Sequence, residues 1–77
     1  MRELHAYEIS VTHPAIDDVV HITMDSDSSV SSNGALVNAT QIRCALECVT
    51  YEHFKRYDRV YALGCTFTKY KEALVIK

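Results

Sequence analysis

From residue 3 to residue 12 the chain alternates, with His5, Tyr7, Ile9 and Val11 on one side and Ala6, Glu8, Ser10 and Thr12 on the other. A period of two marks a half-buried β-strand. Pro14 fixes its own φ and biases His13 away from helix, so His13-Pro14 with Asp17-Asp18 reads as a connection. The run VVHITMD then alternates again, sending Val20, Ile22 and Met24 to one face and Val19, His21 and Thr23 to the other. The two strands are expected to pair as an antiparallel hairpin. The Ser, Asp, Asn and Gly of DSDSSVSSNG, residues 25–34, favour local side-chain to backbone bonds, which predicts an exposed loop or the tip of a long hairpin. Asn33-Gly34 is a hairpin-turn signal, and ALV at 35–37 reads as a short third strand.

The period then changes to that of a helix, starting at Asn38 or Thr40 and running to Tyr57. Steps of about 100° place Ile42, Ala45, Leu46, Val49, His53 and Tyr57 on one stripe, the expected core face. Cys44, Cys48 and Tyr51 cluster on the opposite side with Phe54 nearby, a back face more apolar than one sheet requires. Alternation resumes after Asp58, with Tyr61, Leu63, Cys65 and Phe67 facing one way and Val60, Ala62, Gly64, Thr66 and Thr68 the other, and EALVIK follows. This reads as two strands turning near residues 69–71. The predicted fold is a single α+β domain of order β-β-(β)-α-β-β, an antiparallel sheet of about four strands with one helix packed on one face.

Size narrows the functional classes. A chain of 77 residues buries only about 60% of the surface its unfolded form exposes, and a walled pocket of roughly 300–1,000 Å³ is hard to build from so thin a core. The apolar runs fall far short of the ~18–20 residues that span a bilayer, and MRELHAYEIS has no apolar secretion region, so a cytoplasmic location is expected. Three cysteines cannot all pair within one chain and read as reduced thiols.

Candidate chemistry is sparse. Cys44 and Cys48 lie at i and i+4 and could grip one ion, but no CxxC or HxxxH pair supplies further ligands; the blander reading is small buried hydrophobes. His53 on the apolar stripe reads as a hydrogen-bonded core residue rather than a base. His5 and His21 fall on opposite faces of the first hairpin, and no Ser-His-Asp order or glycine-rich phosphate loop stands out. Neither an enzyme nor a metal or other cofactor is expected.

Charge is divided more sharply. Residues 1–38 carry six acids against Arg2 alone, a net of −5, whereas residues 39–77 carry seven Lys and Arg against four acids, a net of +3. One reading makes Asp17, Asp18, Asp25 and Asp27 a docking surface for a partner protein with a basic surface, with Cys44, Cys48 and Tyr51 as a second contact face that a homodimer would cover. The alternative makes Lys55, Arg56, Arg59, Lys69 and Lys71, interleaved with Tyr57, Tyr61 and Tyr70, a nucleic-acid patch, against which stands a pI near 6.0.

The run IRCALECVTYEHFKRYDRVYALGCTFTKYKEALVIK, one helix leading into a terminal hairpin after an N-terminal hairpin, resembles in size and element order several small phage-encoded inhibitors, including anti-CRISPR proteins. The resemblance implies a stoichiometric binder that blocks a host nucleoprotein or defence complex in the host cytoplasm.

Overall fold

The computed structural model describes residues 2–32 and 40–76; the expected turn at 33–34, the strand at 35–37 and a helix start at Asn38 lie outside these residues. The strands are β1 (Glu3–His13), β2 (Ile16–Asp25), β3 (Val30–Ser32), β4 (Arg59–Ala62) and β5 (Cys65–Ile76), with helices α1 (Thr40–Leu46) and α2 (Tyr51–Arg56) between β3 and β4. All strand pairs are antiparallel, in the order β3-β2-β1-β5-β4. The α+β class and element order follow the sequence pattern. The count differs: the described residues hold five strands and two short helices.

The core forms where the helices meet one sheet face. Tyr7, Ile9 and Val11 of β1, Ile22 and Met24 of β2 and Cys65 and Phe67 of β5 pack against Ile42, Ala45, Val49 and Phe54. Tyr7, Ile9 and Val11 face the helices as their alternation demands. Beyond Tyr7 on the same side of β1, His5 is exposed.

The single expected helix is broken at residues 47–50. Val49 and Thr50 are β-branched and poor helix formers, and Thr50 has extended backbone angles (φ −131°, ψ 168°). Its N–H donates to His53 Nδ1 at 2.9 Å, so His53 closes the first turn of α2 from the surface. The break resets the phase of the second segment. Ile42, Ala45 and Val49 stay buried as expected, but Phe54 replaces His53 and Tyr57 in the core. Phe54 meets Phe67 edge-on at 6.0 Å between ring centroids.

The C-terminal hairpin turns at Leu63-Gly64 rather than at 69–71. Both residues have positive φ (48° and 81°), the twist that two-residue hairpins favour, and Ala62 pairs with Cys65. Paired residues share a face, so Val60 and Ala62 join Cys65 and Phe67 on the core side while Tyr61 points the other way. At the expected turn β5 runs straight on through a bulge: Glu8 pairs with Lys71 and Ile9 with Lys69, leaving Tyr70 as the extra residue.

Leu63 is 60% exposed and held in the left-handed region, which costs an L-residue roughly 1–2 kcal/mol. Leu63→Asn is expected to stabilise the protein by about 1 kcal/mol, read as a higher urea midpoint at unchanged slope. Gly64→Ala should lower it, because an added Cβ would sit 3.2 Å from His13 Nε2 at a positive φ.

Candidate functional site

The four acids do not form one surface. Asp17 and Asp18 belong to the start of β2, next to the irregular pairing between Val11 and His13, whereas Asp25 and Asp27 lie at its far end. At about 3.4 Å per residue, Asp18 and Asp25 are separated by roughly 24 Å. Asp25 is also not a free docking acid, being only 3% exposed. Its Oδ1 accepts the N–H groups of Asp27 (2.9 Å) and Ser29 (3.1 Å), which fixes the loop between β2 and β3. Asp27 is exposed and lies 3.9 Å from Arg2, a contact of little strength at the surface.

The back face of the helix also divides. Cys44 and Cys48 are exposed, which removes the reading as buried hydrophobes. Tyr51 instead turns inward and stacks on Tyr7 at 4.9 Å and 18°, and its N–H donates to Ser28 Oγ at 3.0 Å. Among the described residues no three His, Cys, Asp or Glu side chains gather as a metal site.

The five cations of the alternative patch separate as well. Lys55 and Arg56 are exposed on α2, while Arg59 and Lys71 lie on the sheet face away from the helices. Lys69 is internal. Its ammonium donates to the Phe54 carbonyl at 2.8 Å, lies 3.3 Å from Asp58 and sits 4.6 Å above the Tyr7 ring. Lys71 pairs with Glu8 at 3.6 Å. Tyr70 meets His21 edge-on at 5.8 Å on that same face, and Tyr61 stands on it at 68% exposure.

The structure assembles a different feature, the outer side of β5. The short β4 covers it only from Cys65 to Thr68, and the Lys69 N–H closes the pairing on the Asp58 carbonyl at 2.8 Å. From Tyr70 to Ile76 no described strand pairs with that side, although β1 holds the inner side along almost its whole length. About half of the backbone N–H and C=O groups of such a segment point outward. Tyr70, Leu74 and Ile76 flank this edge at 52%, 59% and 62% exposure. An open depression of about 350 Å³, lined by Asp58, Lys69, Tyr70, Lys71 and Glu72, lies where β4 stops. The alternation of EALVIK marks the strand; that its outer side is free depends on the length of β4, which the alternation does not carry.

Tyr51 gives the helix contact beside this edge a pH limit. Its pKa is pushed up to about 12, first by burial, then by the hydrogen bond to Tyr7 and the charges of Tyr7, Glu72 and Glu52. The fold therefore favours the neutral phenol, and its contribution is complete below pH 10.0 and lost as the pH rises from there to about 12. Urea midpoints of the wild type should fall over that window, and Tyr51→Phe should flatten that part of the fall. Comparison of the chain with family models, curated proteins and solved structures found no match.

Proposed function

We propose that the protein is a non-enzymatic protein-binding module, an inhibitor or adaptor, that takes an extended segment of its partner as an added strand along the outer edge of β5. The observation that carries this reading is the outer side of Tyr70–Ile76, which no described strand pairs and along which Ala73, Leu74, Val75 and Ile76 are uncharged. Backbone hydrogen bonds to an open edge supply affinity, and side chains on either face supply selectivity. Edges of this length are normally blunted by proline, charge or a covering element. Here the bulge at Tyr70 and the charges of Lys71 and Glu72 guard the start, and the four residues Ala73–Ile76 carry no charge. The separation of the acids favours steric block over charge mimicry. With the resemblance to phage-encoded inhibitors, the target class is a host nucleoprotein or defence complex.

The test is to select extended peptides from a displayed random library with the wild-type protein and measure their affinity for variants. Leu74→Glu and Ile76→Glu together should weaken binding by at least about tenfold, or 1.4 kcal/mol, while Asp17→Lys with Asp18→Lys should leave it unchanged. Peptides that bind the edge variant as well as the wild type overturn the reading.

A second reading rests on the sheet face away from the helices, where exposed Tyr61, Tyr70 and His21 stand with Arg59 and Lys71. Exposed rings beside cations are a stacking platform for single-stranded nucleic acid. Two phosphate contacts would give a slope of about −1.4 in log affinity against log salt for an oligothymidylate. No binding at low salt removes this reading.

A further inference from the structure

Resting on the strand-addition reading, we propose that the free edge of β5 pairs with the same edge of a second copy of this chain, and that this weak dimer competes with partner strands for the site. A strand paired antiparallel with its own copy about a twofold axis requires residues i and S − i to face each other, and an axis at Ala73 brings Tyr70–Ile76, the described part of the free side, opposite itself. In that register Ala73 faces Ala73 of the second copy, Glu72 faces Leu74, and Lys71 faces Val75. No like charges stand opposite each other over those positions. Ala73 places a small side chain at the axis, and the two Leu74 side chains become diagonal neighbours within reach of each other.

The register also fixes the faces. Ala73 pairs with Ala6 and Val75 with Leu4 on the sheet side away from the helices, while Leu74 pairs with the exposed His5 on the helix side. Joining two edges continues one sheet through both molecules and covers Leu74 on each. A contact limited to a few backbone pairs and these flanking side chains is small compared with stable interfaces of about 1,600 Å², so the dimer is reversible and a longer partner strand displaces it. Self-association then sets a concentration above which partner capture falls.

Sedimentation of the full chain over roughly a thousandfold concentration range tests this directly. The wild type should move reversibly from monomer to dimer. Leu74→Glu places a carboxylate opposite Glu72 of the second copy and should weaken the dimer by at least tenfold. Leu74→Lys faces the same Glu72 with a cation and should hold or tighten it, and Glu72→Lys combined with Leu74→Glu should restore it. Leu74 is exposed, so these changes leave the core intact. Equal weakening by Glu and Lys at position 74, or a dimer unaffected by either, overturns the proposal. A wild type that stays monomeric also overturns it; selected peptides that still bind such a monomer at the edge leave strand addition standing, and their absence removes both.

Discussion

One ammonium group, Lys69 Nζ, stands where α2 ends, β4 begins and β5 bulges. A half-buried cation needs partners, and it has a helix-terminal carbonyl, a carboxylate and the face of an aromatic ring. The carbonyl comes from Phe54, whose side chain fills the core beneath. The ring is Tyr7, which also stacks on Tyr51. Through these contacts the short second helix is tied to the two central strands. A six-residue helix has too few internal hydrogen bonds to persist alone, so its place depends on this tie and on Phe54.

β1 and β2 were legible in the sequence because a period of two survives wherever one face is buried, and both have one face under the helices; β3 was not, since Val30–Ser32 lies in the polar run read as a loop and pairs with β2 instead. The helix break was less legible, because Ile42, Ala45 and Val49 fit a continuous stripe and the apolar period alone extends it to His53 and Tyr57. The break is written in local chemistry instead. Val49 and Thr50 weaken the helix, and Thr50-x-x-His53 places a ring nitrogen where a capping box usually carries Glu or Gln. Leu63-Gly64 was hidden for a related reason: leucine is a poor choice for a left-handed position, so only Gly64 announces the turn.

Net charge along the chain does not translate into one charged surface. Asp17 and Asp25 lie close in sequence and carry one sign, but an extended strand separates them, and the second is consumed in shaping a loop. The basic half shows the same effect, since alternation sends Lys69 inward and the bulge carries Lys71 to the other face. Sequence proximity predicts a shared surface only when the element's period brings the residues together. The tyrosines fared better: Tyr57, Tyr61 and Tyr70 are each more than half exposed, with Tyr61 and Tyr70 on the sheet side away from the helices.

The open edge follows from chain arithmetic. A two-residue turn pairs Ala62 with Cys65, so each residue earlier in β4 faces one residue later in β5. The chain is helical to Arg56 and first pairs at Arg59, which faces Thr68, and the cover ends there. Extending β4 to shield Leu74 would require some six more strand residues before Arg59, and four of those positions, 53–56, belong to α2. Melting α2 would withdraw Phe54 from the core at a cost of about 3–5 kcal/mol and strip Lys69 of its carbonyl. The helix that completes the core is therefore also what keeps β4 short, and the same packing that stabilises the fold leaves the strand edge available to another chain.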